Sequence, residues 1–187
     1  MEPHMTESER VLFESILARA GSYMEFGAGG STILADRLVR GPVYSVESDR
    51  DWIAKVRSLA VESDYERRFI FADIGPTGRW GRPLKGHGEV DYLNYHNNIW
   101  VDIDRSFDVY LIDGRFRVAC FCQALLRAGP EARLMIHDYR SRPHYHPIET
   151  VAVPVAETED LTVFTRRPGV EDERIRALIE RYHDVVD

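Results

Sequence analysis

The sequence predicts an α/β domain built on a doubly wound, mostly parallel sheet with helices on both faces. Three observations predict it. Short apolar runs alternate with stretches of helical periodicity, the links between them are short, and the first apolar run feeds a glycine turn that opens a helix. Strands that are apolar throughout need cover on both sides, and right-handed crossovers then impose the doubly wound order. The 187 residues suit one domain, 1–187, with a full core.

The elements follow in order. Thr6, with Glu9 three residues on, has the form of a capping box, and Val11, Leu12, Ile16 and Leu17 give a helical apolar stripe that Gly21 stops, so 1–22 is an N-terminal helical segment. Residues 23–26 form the first strand, which runs into Gly27-Ala28-Gly29-Gly30, and a helix over 31–40 ends at Gly41-Pro42. Residues 43–46 are the second strand; Asp49 or Asp51 caps a helix with Trp52, Val56 and Leu59 on one face. Residues 69–72 are the third strand.

Residues 75–88 carry glycine, proline and basic residues and read as a long surface loop, and 92–100 as a short helix; together 75–106 form an insert able to act as a substrate flap. Residues 109–112 are the fourth strand. Val118, Phe121, Cys122 and Leu125 keep i, i+3, i+4, i+7 spacing in the clearest helix, closed by Gly129-Pro130. Residues 134–136 form the fifth strand and 145–151 a short helix. Two strands at 153–157 and 161–165 are close enough to be antiparallel, and a terminal helix buries Ile175, Leu178, Ile179 and Tyr182.

Composition narrows the function. The formal charge is -7, from 31 acidic and 24 basic residues, and a negative surface repels phosphate backbones, so no nucleic-acid partner is expected. No apolar run is long enough to span a bilayer and no signal segment precedes the domain, so neither a membrane partner nor secretion is expected, and the cytoplasm is the default compartment. Cys120 and Cys122 are two apart in a helix and point to different sides, as buried small hydrophobes rather than a disulfide or zinc pair. Oligomeric state is not legible.

Ligands of open α/β sheets bind outside the carboxyl ends of the strands. Here Glu25, Glu47, Asp73 and Asp113 end the first four strands and Asp138 follows the fifth, five carboxylates expected along one edge. Like charges so placed repel unless a cation or hydrogen-bond donors sit among them. Glu47 stands about 20 residues after the glycine turn, the spacing of an acid that grips ribose hydroxyls. A dinucleotide fingerprint wants glycine at position 32, where this chain has Thr32. A carboxylate at Glu25 suits a sulfonium and an amino group better than a pyrophosphate.

Met24-Glu25-Phe26-Gly27-Ala28-Gly29-Gly30-Ser31 resembles the first motif of class I S-adenosylmethionine-dependent methyltransferases. Val43-Tyr44-Ser45-Val46-Glu47-Ser48-Asp49 resembles their ribose-binding strand, Phe71-Ala72-Asp73-Ile74 their adenine-binding motif, and Phe107-Asp108-Val109-Tyr110-Leu111-Ile112-Asp113-Gly114 their fourth-strand motif. The resemblance covers residues 23–167 and implies a seven-stranded sheet whose last pair is an antiparallel edge. It implies S-adenosyl-L-methionine as cofactor, with Glu25, Gly27, Ala28, Gly29, Ser31 and Thr32 at the methionine end. Glu47 and Ser48 would take the ribose, Asp73 and Ile74 the adenine, and Asp113 and Gly114 the methionine amino group. The glycine phrase is also similar to that of methyltransferases acting on sugars.

Methyl transfer is an in-line displacement that needs positioning and, only for some acceptors, a base. His137 and Asp138 are the catalytic candidates, with His137 as a general base near neutral pH. Some small-molecule O-methyltransferases of this class hold magnesium with carboxylates at the strand ends plus an adjacent Asn. Tyr139 follows Asp138 here, so no metal is expected. Arg140, Arg142, His144, Tyr145 and His146 suggest an acceptor-side wall for an acid or a sugar, and Arg79, Trp80, Arg82, Lys85 and His87 a flap. The expected partner is a small-molecule acceptor. The competing readings are a nicotinamide-dependent oxidoreductase, disfavoured by Thr32 and Glu25 and by the lack of a Tyr-x-x-x-Lys motif, and a non-catalytic module that only binds the cofactor.

Overall fold

The computed structural model describes residues 1–61, 63–84 and 91–186. Its sheet has seven strands: β1 (Tyr23–Phe26), β2 (Val43–Glu47), β3 (Arg67–Phe71), β4 (Val109–Ile112), β5 (Arg133–Ile136), β6 (Ala152–Thr158) and β7 (Leu161–Arg166). The order is β3-β2-β1-β4-β5-β7-β6. β1 to β5 are parallel, and β7 is antiparallel to both β5 and β6. The chain runs outward from β1 to β3 and then returns to lay β4 on the other side of β1. That reversal opens a crevice at the carboxyl ends of β1 and β4.

The helices are α1 (Glu7–Leu17), α2 (Gly30–Leu38), α3 (Arg50–Arg57), α4 (Leu93–His96), α5 (Arg117–Arg127) and α6 (Asp172–Tyr182). Strand alternation divides the core in two. Met24, Phe26, Tyr44, Val46, Tyr110, Ile112, Leu134 and Ile136 pack with the buried face of α5 and Ile175 of α6. Tyr23, Val43, Val109, Leu111 and Met135 pack on the opposite face with Phe13 and Leu17 of α1 and Ala35 of α2. Cys120 and Cys122 are free and buried within α5, as expected of small hydrophobes.

The Thr6–Glu9 capping box is present in full. The stripe on α1 is rotated from the expected one: Phe13 and Leu17 are buried and Val11 is 58% exposed. In α3, Ile53 and Val56 form the buried face, whereas Leu59 lies past the helix end and is exposed. The helix expected over 92–100 is only α4, followed by a 3-10 segment Asn98–Asp102, and the one expected at 145–151 is a 3-10 segment Pro143–Thr150. Thr77 and Pro83 pair as an isolated bridge, with a 3-10 turn Arg79–Gly81 between them. Lys85 and His87 lie outside the described residues. No helix among the described residues is long and apolar enough to cross a membrane.

Candidate functional site at the strand-order reversal

The turn after β1 is set by a backbone contact. Gly27 has φ +97°, a conformation costly for any side chain, and a Cβ there would stand 2.8 Å from Gly114 N at the end of β4. Gly114 in turn packs under the hydroxyl of the buried Tyr95, so a larger residue has no room at either position. Trp52 Nε1 donates to Ala28 O at 2.7 Å and fixes the next peptide. At Gly29, by contrast, nothing lies within 4 Å of where a Cβ would project. The crevice is therefore open above Gly29 and closed beneath Gly27.

Carboxylates flank this turn on both neighbouring strands. Glu47, at the end of β2, is buried; its Oε1 accepts from Ser48 N at 2.6 Å and Asp49 N at 3.1 Å, and its Oε2 accepts from Ala28 N at 3.3 Å. Burial raises its pKa against those donors. Oε2 thus keeps accepting capacity next to the turn. Asp113, at the end of β4, is 28% exposed at its side chain. Its pKa is lowered: burial opposes this, but the His137 hydrogen bond and Arg117 outweigh it. Asp73 is exposed on the same rim and accepts from Gly75 N at 3.1 Å.

Two expectations are corrected. Glu25 is not on the rim, because strand alternation gives it the Tyr23 face and it is fully buried. Four hydroxyls donate to its carboxylate: Tyr23 at 2.9 Å, Ser31 and Ser45 at 2.6 Å, and Thr32. Burial nevertheless pushes its pKa up to about 7. Glu25, Ser31 and Thr32 brace the turn from behind, and Thr32 Oγ1 also accepts from Gly29 N at 2.8 Å. Ile74 is buried in the core, so only its backbone is placed to meet a ligand.

The second correction concerns His137. It is 7% exposed and enclosed by acids. Nδ1 stands 3.2 Å from Asp113 Oδ1 and 3.5 Å from Asp138 Oδ1, and Nε2 stands 3.5 Å from Glu9 Oε2. Burial alone would lower its pKa; the hydrogen bond and charge of Asp113, then the charges of Asp138 and Glu9, overcome this and push it up to about 9. Its acidic surroundings thus favour the imidazolium, which suits a cation of the site better than the expected general base. Asp138, held at φ +58°, is the anchor of two arginines, Arg117 Nη1 at 3.0 Å and Arg142 Nη2 at 2.8 Å.

Asp113, His137 and Asp138 bring possible ligand atoms within 4.8 Å of one another. A divalent ion does not fit among them as they stand. The Arg117 guanidinium, 3% exposed, bridges Asp113 Oδ1 at 3.1 Å and Asp138 Oδ2 at 3.0 Å, and donates to His137 O. The cation that reconciles the two acids is a side chain of the chain itself.

Sequence reading missed Arg117, Glu9, Tyr95 and Trp52. Arg117 had a signal, being one helical turn after Asp113. Glu9 had none, since its capping role gives no hint that its carboxylate also reaches His137 and accepts from Asp160 N at 2.9 Å.

A seven-stranded sheet of this order, with a glycine turn at its reversal and acids on the two flanking strands, defines the class I S-adenosylmethionine-dependent methyltransferase fold. The chain is similar to a methyltransferase-like protein of Silicibacter pomeroyi, with 29% identity over 97% of both chains and a TM-score of 0.84. It is also similar to a TehB-like SAM-dependent methyltransferase of Corynebacterium glutamicum (12% identity, 85% and 87% of the two chains, TM-score 0.53). A ribosomal protein L11 methylase of Lactobacillus delbrueckii subsp. bulgaricus matches at 12% identity over 89% and 81%, with TM-score 0.55. The last two likenesses concern the fold. No protein-family model and no curated protein sequence matches the chain.

Proposed function

We propose that this chain binds S-adenosyl-L-methionine across the carboxyl ends of β2, β1 and β4 and methylates a small-molecule acceptor, sugars included. The observation that carries the reading is the open face of Gly29, flanked by Glu47 on one neighbouring strand and Asp113 on the other. The residues fit that ligand. Gly27, Ala28 and Gly29 pass its methionine end, Glu47 and Ser48 accept and donate at the ribose, Asp73 and the Ile74 backbone edge the adenine, and Asp113 and Gly114 meet the amino group. Glu25, Ser31 and Thr32 act at one remove by holding the turn.

The cofactor supplies a methyl group already activated on a sulfonium. The protein's task is to align the acceptor and exclude water. The acids around His137 favour its protonated form, which fits an acceptor that is nucleophilic without a base. Asp138 orients Arg117 and Arg142. A nicotinamide reading is weaker because Thr32, 1% exposed, fills the place where a dinucleotide site has glycine. The net charge of -7 disfavours a polyanionic acceptor, and the ribosomal protein methylase among the structural neighbours is a likeness of fold. The free thiols Cys120 and Cys122 suit a reducing compartment, and we place the enzyme in the cytoplasm.

The test is a screen of hydroxylated, amino and sugar acceptors with S-adenosylmethionine labelled at the methyl group. Transfer that Glu47→Ala lowers about tenfold or more supports the reading, because a buried pair of ribose hydroxyls would lose its acceptor. Tight cofactor binding with no transfer to any acceptor would make the chain a binding module instead.

A further inference from the structure

A hollow of about 400 Å³ is lined by Arg82, Arg142, His144, Val185 and Val186. Its place ties it to the rim. Arg82 follows Gly81, and a Cβ on Gly81 would stand 3.1 Å from Ser48 Oγ and 3.4 Å from Glu47 Oε1. Arg142 reaches Asp138 Oδ2 at 2.8 Å and donates to the Tyr145 hydroxyl at 2.9 Å. Through these two arginines the hollow lies between the loop whose Gly81 packs near Glu47 and the end of β5. Its size is that of a small-ligand site.

Its charge runs against that of the whole chain, which is -7. Two arginines and a histidine line it, with no carboxylate among the lining residues. Arg142 is already ion-paired with Asp138, which it shares with Arg117, so the uncompensated positive charge of the hollow is that of Arg82. Arg82 is exposed and has no ion pair among the described residues. Val185 and Val186 add apolar surface beside the cations. An arginine fork matches a carboxylate or phosphate, and an apolar wall matches a ring or alkyl body.

We infer that this hollow seats the acceptor and selects a small anionic one, a carboxylate or phosphate monoester on an apolar body. The inference deepens the proposed methyltransferase reading and rests on it for the word acceptor, whereas anion binding itself does not need the cofactor. Arg82 is the specificity residue: it faces the hollow, and removing it disturbs no ion pair of the rim.

The experiment follows the His144 ring and Arg82 side-chain signals by NMR in the full isotope-labelled chain, with and without S-adenosylhomocysteine. The probes are benzoate, phenyl phosphate and the neutral isostere benzamide. Saturable shifts are expected with one or both anions and none with benzamide, and which anion binds more tightly decides between carboxylate and phosphate. Arg82→Glu should weaken the preferred anion about tenfold or more with an unchanged circular dichroism spectrum. Benzamide binding as well as benzoate, no saturable anion binding, or an Arg82→Glu chain that binds as tightly as wild type would overturn the inference. A short single-stranded RNA that binds through Arg82 more tightly than either anion would also overturn it, in favour of a nucleic-acid occupant. Anion binding without any S-adenosylhomocysteine binding would instead refute the cofactor reading and leave an anion site standing.

Discussion

His137 and Arg117 are two buried cations set among Glu9, Asp113 and Asp138, and their surroundings give measurable consequences. For His137 the folded pKa is raised, from an ordinary 6.5 to about 9. Stability from its proton is therefore fully present below about pH 6.5 and is lost as pH rises through about 9, a change on the order of 3 kcal/mol. Urea unfolding of wild type and His137→Gln between those pH values isolates it, since Gln cannot titrate. The raised carboxyl of Glu25 titrates in both proteins and lies lower, at about 7, so it cancels in the difference. Equal pH slopes in the two proteins would mean that the ring is neutral in the fold. Arg117→Met should cost about 3 kcal/mol in the same assay, because it leaves Asp113 and Asp138 facing each other without their shared guanidinium. At this scale the sequence showed the acids but not their partners. The sequence placed Glu25 on the rim with the other acids, whereas in the packed structure it is fully buried and four hydroxyls occupy its carboxylate.

The turn between β1 and α2 separates two kinds of glycine. Gly27→Ala should destabilise the fold by more than about 2 kcal/mol, since a left-handed residue gains a Cβ against the Gly114 backbone. Gly29→Ala meets open space and should leave stability within about 0.5 kcal/mol of wild type, while its methyl intrudes on the cofactor. Thermal unfolding paired with cofactor titration reads both. A Gly29→Ala chain that binds the cofactor normally would place the ligand elsewhere. Thr6→Ala should cost about 1 kcal/mol through loss of the α1 cap. Elements with local signatures were legible: the capping box, the Asp49 cap, the α5 stripe and the β6–β7 hairpin all follow from a few neighbouring residues. The phase of α1 was not, because Phe13 rather than Val11 meets Tyr23 across the sheet, at a ring distance of 6.0 Å, and that contact is tertiary. The 92–100 segment broke into α4 and a 3-10 stretch where Trp100 Nε1 reaches back to His96 O.

At the scale of the whole molecule, the doubly wound, mostly parallel sheet followed from alternation and handedness and its seven strands with an antiparallel edge from a family resemblance, while the order β3-β2-β1-β4-β5-β7-β6 comes from the structure. The site position followed from the reversal of that order. What the whole molecule adds is the balance of charge. Acids near β5 are met by Arg117, His137 and Arg142, whereas Glu47 and Asp73 have no ion pair among the described residues and neither has Arg82 beside the hollow, so one end of the crevice is set for a cation-bearing nucleoside and the other for an anion. Calorimetric titration of the wild-type chain with S-adenosylmethionine, S-adenosylhomocysteine and NAD measures the first half of that claim. Binding of the first two at one site per chain, with no heat from NAD, is the result the geometry predicts. NAD binding, or silence from both adenosyl ligands, would contradict it.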